Sequence, residues 1–384
     1  MPESPPIIRV RGLHKQYGSH AVVHDVSFDL RAGETLVLLG PSGCGKTTLL
    51  KTLNRLVEPD AGTVEVQGQD VRHQRPEVLR RGIGYVIQQV GLLPHLTVAE
   101  NVAVVPKLLG QPAAEVAART EALLTRLHLP PARYAGQYPG QLSGGQQQRV
   151  GLARALAANP PIVLLDEPFG ALDPITRAGI RREFRELEEL RQKTVVLVTH
   201  DVTEAFELAD RILLLDGGRV QQLGTPRQLL FEPANDFVRR FFEAERLTLQ
   251  LRTLTLNDLL MDLANRPDAP TINRYQSEQS TIMSNATVQE ALERLSAPDS
   301  VAATPAPPDE QDAALPLPGT NYVASTHPTA AAILWVEAAA NPGFEPGPAA
   351  AERLHPAISP KPFPVTLPSL MAAFGQAIQH LQRP

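Results

Sequence analysis

The run Gly40-Pro41-Ser42-Gly43-Cys44-Gly45-Lys46-Thr47 follows the pattern G-x-x-x-x-G-K-[ST], in which a backbone wraps around a phosphate group. Glycines permit the close approach, because no Cβ stands between chain and anion. Consecutive N–H groups and the start of a helix then point at the negative charge. Lys46 brings a cation to the outer phosphates. Thr47, followed by Thr48, brings a hydroxyl that suits a hydrated Mg2+. Further on, Ile162-Val163-Leu164-Leu165-Asp166-Glu167 places two carboxylates after four apolar residues. Asp166 suits Mg2+, held through water. Glu167 suits the orientation or deprotonation of an attacking water. Many strands end in acids, so this pair gains its weight from following the phosphate loop in the right order.

Leu142-Ser143-Gly144-Gly145-Gln146 is a third cluster. In its bland reading, Ser143 caps a helix and the two glycines only turn the chain. The same cap also makes a second anion site, because a helix start with a hydroxyl and two glycines offers N–H groups to a phosphate. One phosphate loop leaves little room for another helix end from its own chain. The site is best used across a dimer interface, on a phosphate held by the partner.

These groups need a scaffold. Thr35-Leu36-Val37-Leu38-Leu39 reads as a buried strand feeding the loop, with a helix following from Lys46. Residues 162–165, 194–198 and 211–215 read as further buried strands, and residues 177–191 as an amphipathic helix with Phe184, Leu187 and Leu190 on one face. Continuous apolar strands alternating with helices predict a mostly parallel sheet covered on both faces. Residues 7–13 and 21–30 alternate polar and apolar, as antiparallel edge strands do. Residues 97–159 read as a helical subdomain inserted between sheet strands.

Composition shifts near residue 245. Half of the 36 prolines lie beyond residue 244, in the shorter part of the 384-residue chain. Two regions follow: residues 7–243, which hold every motif above, and an accessory region, 244–384. In the second region residues 287–295 and 367–381 read as helices, and 302–318 as a Pro/Ala-rich linker. A net charge of −5 gives no electrostatic reason to expect nucleic acid as a partner. The single cysteine, Cys44, excludes an internal disulfide and fits a reducing setting. No apolar run approaches the ~18 residues that span a bilayer. The first residues also lack the basic-then-apolar order of a secretory signal. A membrane role is therefore expected to come through a partner.

Together the phosphate loop, the Asp166-Glu167 strand and Leu142-Ser143-Gly144-Gly145-Gln146 resemble the ABC ATPase family, over about residues 7–243. The resemblance implies a P-loop NTPase α/β fold: a RecA-like, mostly parallel core, antiparallel N-terminal strands and an inserted helical subdomain. It implies ATP and Mg2+, and a homodimer closed head to tail. Each ATP would lie between Lys46, Thr47 and Asp166 of one copy and Ser143 and Gly145 of the other. Tyr17 then stands where the family stacks an aromatic ring on adenine. Gln88 stands as the glutamine that senses Mg2+ and faces the permease. Ala171-Leu172-Asp173 matches the segment that crosses the dimer, with Gly170 where serine is usual. His200 matches the switch histidine on the γ-phosphate. His95 is left as a loop residue or a permease contact.

Residues 85–102, with the doubled Gln88-Gln89 and Val90-Gly91-Leu92, resemble the importer branch for glycine betaine, choline, carnitine and related osmoprotectants. That branch implies a peripheral subunit on the cytoplasmic face of the cell membrane, with integral permease subunits and, indirectly, a substrate-binding protein. Importers of amino acids, phosphate or sugars, and ABC ATPases outside transport, are the alternatives. The accessory region is placed like the paired CBS domains of the branch, and reads as a shortened form of them or as a partly disordered tail. Because Cys44 lies inside the phosphate loop, a maleimide is expected to block ATP hydrolysis and bound ATP to protect against it, measured as residual activity after labelling.

Overall fold

A computed structural model describes residues 5–88, 91–170, 172–256, 258–259, 281–283, 286–296, 333–337 and 363–381. Gln89, Val90, Ala171 and the expected linker at 302–318 lie outside the described residues. The chain divides into two compact units, Met1–Arg246 and Leu247–Pro384.

In the first unit the strands are β1 (Ile8–Tyr17), β2 (His20–Leu30), β3 (Thr35–Leu39), β4 (Ala61–Val66), β5 (Gln69–Asp70), β6 (Ile83–Val86), β7 (Ile162–Asp166), β8 (Thr194–Val198), β9 (Arg211–Asp216) and β10 (Arg219–Gly224). They form two sheets, in the orders β2-β1-β4-β5 and β10-β9-β3-β8-β7-β6. Pairing from β9 through β6 is parallel, and β10 closes one edge antiparallel. The first sheet is antiparallel throughout, but β1 is an inner strand paired with both β2 and β4, not an edge. Its polar–apolar alternation reflects one buried face rather than a free rim.

β7 and β8 are buried along their whole length, as an interior parallel strand must be. The helix Lys46–Leu53 packs against β2 and β4 on one side and β7 and β8 on the other. Leu49, Leu50 and Leu53 therefore join Val10, Phe28, Leu38, Leu164 and Val196 in one core. The helix that starts beside the phosphate loop is thus bolted to both sheets.

The inserted subdomain holds the helices Val98–Leu108, Ala113–Arg126, Pro131–Tyr134 and Gly144–Ala157. Two of them start with reciprocal caps, Thr97 with Glu100 and Ser143 with Gln146. Buried Asn101 ties the approach to the first: its amide donates to the Leu93, Leu96 and Thr97 carbonyls, and its oxygen accepts from the Leu93 N–H. The single helix expected at 177–191 is two, Pro174–Glu186 and Glu188–Arg191. The break falls at Leu187, whose extended backbone turns the chain while Phe184, Leu187 and Leu190 all stay buried.

In the second unit, Thr287 caps the helix Val288–Ser296, accepting the Glu290 N–H, while the Glu290 carboxylate accepts the Thr287 N–H. The strands Thr281–Met283, Ile333–Glu337 and Phe363–Thr366 form a sheet, the first pair parallel and the second antiparallel. The helix Leu367–Leu381 follows.

Leu164, fully buried at the centre of β7, makes the core's contribution measurable. Leu164→Ala is expected to destabilise the chain by about 3 kcal/mol, read as a lower denaturant midpoint at unchanged slope.

Candidate functional site

Four adjacent strands, β3, β8, β7 and β6, deliver the candidate residues at their carboxyl ends. That is where ligands bind in open α/β sheets. β3 runs into the loop Gly40–Gly45. β7 ends at Asp166 and continues into Glu167. β6 leads to Gln88, and β8 to His200.

The loop's shape is dictated by its neighbours. Gly40 has φ 149°, and a Cβ there would lie 2.1 Å from the Leu215 carbonyl oxygen. Gly45 has φ 101°, and a Cβ there would lie 2.4 Å from the Val22 carbonyl oxygen. No side chain fits at either place, so glycine is required on steric as well as torsional grounds. Lys46 is 5 % exposed, and its ammonium donates to the Gly40 and Pro41 carbonyls at 2.8 Å each. The cation is thereby held over the loop rather than directed to solvent. Ser42 and Gly43 complete the turn, and Thr48 lies in the first turn of the helix.

Thr47 Oγ1 donates to Asp166 Oδ1 at 2.8 Å. Asp166 is 2 % exposed, and burial raises its carboxyl above the ordinary value despite the Thr47 hydrogen bond and the nearby Lys51 charge. Tyr85 approaches Asp166 with a buried hydroxyl. Burial first, then the Asp166 charge, push the phenol up. Glu167 lies beside this pair with φ 45°, an unusual conformation for a side chain larger than hydrogen. Its N–H donates to the Val198 carbonyl at 3.0 Å, which anchors it to β8. Gln88 Nε2 donates to Glu167 Oε2 at 3.1 Å, and His200 Nδ1 lies 3.5 Å from Glu167 Oε1. Glu167 is thus gripped from both flanking strand ends.

Lys46, Thr47, Asp166, Glu167, Gln88 and His200 are therefore brought together. Others stand apart. The hydrogen bonds of Ser143 and Gln146 stay within the inserted subdomain: Ser143 Oγ accepts the Gln146 N–H, and Gln146 Nε2 donates to the Tyr134 hydroxyl. Gly144 and Gly145 form the first turn of that helix. Asp173 is exposed, and its carbonyl accepts the Arg177 N–H. Tyr17 is exposed at the end of β1, with the Lys15 ammonium 5.4 Å from its ring centre. Cys44 is buried, and burial raises its thiol despite the Lys46 charge, so a maleimide must wait for the loop to open.

Sequence reading did not find Tyr85 as a neighbour of Asp166, nor the hydrogen bonds that join Thr199, Asp201 and Glu204 around His200 in sequence. Tyr85 is visible only as part of a strand. Asp201-x-x-Glu204 reads as nothing more than a helix start.

The profile of the family described as ABC transporter matches residues 23–170. The chain is 43 % identical over 289 residues to the choline transport ATP-binding protein OpuBA of Bacillus subtilis, an alignment covering 75 % of this chain and 72 % of that one. It is 48 % identical over 242 residues to the glycine betaine/carnitine/choline transport ATP-binding protein OpuCA of the same species, and spans 63 % of that protein's length. Among solved structures, the dimer of the ATP-binding cassette MJ0796 bound to ADP and Pi is similar at 35 % identity and a TM-score of 0.52, covering 57 % of this chain and 98 % of that one.

The Asp166 shift gives a test with a fixed sign. A carboxyl raised in the folded state adds stability below its unfolded value, and that contribution is lost as pH rises through the folded value. Above the unfolded carboxyl value, burial of Asp166 therefore opposes folding. Asp166→Asn is expected to melt at a higher temperature than the native chain at pH 7 by calorimetry, and the gap to close below about pH 4. A lower melting temperature at pH 7 would mean that the Thr47 hydrogen bond outweighs burial.

Proposed function

The chain belongs to the ABC transporter family, and from that premise we propose that it is the ATP-binding and ATP-hydrolysing subunit of an importer, working as a dimer on the cytoplasmic face of a membrane permease. One arrangement carries this reading: Glu167, gripped between Gln88 and His200, stands next to Asp166 and the Lys46-Thr47 end of the phosphate loop.

ATP fits the loop because the backbone turns tightly at Gly40 and Gly45, where no side chain is accommodated, and Lys46 adds a cation. Mg2+ fits the donor set, which is all oxygen: the Thr47 hydroxyl, the Asp166 carboxylate and the Gln88 amide. Bound there, the ion would neutralise charge on the transferred phosphoryl group. Glu167 orients and polarises the attacking water, and His200 and Lys46 stabilise the phosphoryl oxygens. Hydrolysis of this kind depends on positioning and charge more than on covalent chemistry. In the dimer, Ser143, Gly144, Gly145 and Gln146 of one copy present a helix start to the nucleotide of the other, with Asp173 lying along the interface. The similarity to a dimeric cassette supports that pairing.

The permease would meet the cleft lined by Arg80, Arg81, Tyr85, Val105 and Arg154, of about 160 Å3. The exposed apolar side chains Val78, Ile87, Leu108 and Leu109 belong to the same helices and strand end. A substrate-binding protein would act through the permease. The solute class is glycine betaine or a related quaternary amine, by analogy with the relatives. Among the described residues of the second unit, three strands in one sheet and the two helices Val288–Ser296 and Leu367–Leu381 support a CBS-like regulatory module.

Glu167→Gln is expected to bind ATP, lower hydrolysis by about 100-fold or more and accumulate as an ATP-bound dimer on gel filtration. Cells lacking this chain should lose uptake of radiolabelled glycine betaine at high osmolarity, restored by the native chain but not by Lys46→Ala. Unchanged uptake where no other betaine importer is present would remove the solute class.

A further inference from the structure

His200 is more than half exposed, and its contact with Glu167 is a single approach at 3.5 Å. The residues on either side fix the backbone on which it stands. Thr199, 2 % exposed, hangs its N–H on the Leu38 carbonyl of β3. Its hydroxyl donates to Glu204 Oε2 at 2.5 Å and accepts the Asp201 N–H at 3.0 Å. Glu204 is 3 % exposed, and its N–H returns to Asp201 Oδ1 at 3.0 Å.

This is a helix start with one bond rerouted. In the usual reciprocal cap, Glu204 would accept the Asp201 N–H directly. Here the Thr199 hydroxyl is inserted between them, so the cap reaches past His200 to the residue before it. A carboxylate this deeply buried is unfavourable unless it is bonded, and the hydroxyl is its short partner. Arg181 adds longer approaches, 3.9 Å to Glu204 and 3.8 Å to Asp201, and pairs with Glu207 at 3.0 Å. Arg177 lies 3.7 Å from Asp201 and donates to the Leu172 carbonyl at 2.9 Å. Leu172 directly precedes Asp173.

We propose that Glu204 and the Thr199 hydroxyl are positioning residues that hold His200 toward Glu167, and that Arg177 ties this clamp to the Leu172-Asp173 segment. The inference rests on the hydrolytic reading above and adds to it a device outside the nucleotide-contacting motifs. Through it, a displacement of Leu172-Asp173 at a dimer interface is passed by Arg177 and Asp201 to the backbone that carries His200.

The test is steady-state ATP hydrolysis by the full chain, with nucleotide binding measured separately. Thr199→Val removes the hydroxyl at nearly constant volume, and is expected to lower kcat by about tenfold or more while leaving the ATP Kd within about twofold. Thr199→Ser is expected to restore kcat to within about threefold of native. In the His200→Ala background Thr199→Val is expected to add nothing further, because the histidine it positions is gone. Glu204→Ala repeats the test from the other partner; if that variant does not fold, the threonine series decides alone. Native kcat in Thr199→Val, or a loss that multiplies with that of His200→Ala, overturns the proposal while His200→Ala remains impaired and the hydrolytic reading stands. Absence of hydrolysis by the native chain, assayed with and without its permease, would instead remove that reading and the proposal with it.

Discussion

The phosphate loop is narrow because two carbonyl oxygens, from Leu215 and Val22, stand where Cβ atoms would be at Gly40 and Gly45. Leu215 belongs to the parallel sheet and Val22 to the antiparallel one. The loop is therefore a seam between both sheets, and its curvature is inherited from their spacing. The helix that follows is packed against both, so its N-terminus cannot swing away from the loop. With that end fixed, Thr47 meets Asp166 at the end of β7, and the order of strands across the sheet places Gln88 and His200 on either side of Glu167.

Electrostatics oppose this arrangement. Asp166 ends a strand that is buried throughout, and its charge is desolvated, with the Thr47 hydrogen bond and the Lys51 charge compensating in part. Tyr85 packs beside it with a buried hydroxyl, and burial likewise raises Glu204, which the Thr199 hydroxyl bonds. The core supplies the compensating stability: Leu49, Leu164 and Val196 are fully buried directly behind the acids.

Much of this was legible in the order of residues. The loop, the Asp166 strand and the Ser143 cap depend on local chemistry: glycine where the chain must bend, apolar runs where a strand is interior, Ser-x-x-Gln where a helix starts. What could not be read is what depends on distance. That β1 is an inner strand follows from β4, which pairs with it between residues as far apart as Ile8 and Val66. That Leu187 breaks a helix depends on burying Phe184 and Leu190 together. Tyr85 beside Asp166, and Thr199 between Asp201 and Glu204, are tertiary facts that no periodicity encodes.

Glu167 shows a further side of this. A non-glycine residue at φ 45° is held at a disadvantage of about 1–3 kcal/mol unless its surroundings demand it. The glycines of the loop are different, since any replacement would collide with a sheet. Selection for a sound fold would keep Gly40 and Gly45 even in a lineage that had stopped using nucleotide. Nothing comparable blocks a glycine at Glu167, where the left-handed backbone would then cost less. Gly40 and Gly45 are thus fixed by the packing of the two sheets, whereas the glutamate at position 167 is not fixed by its backbone.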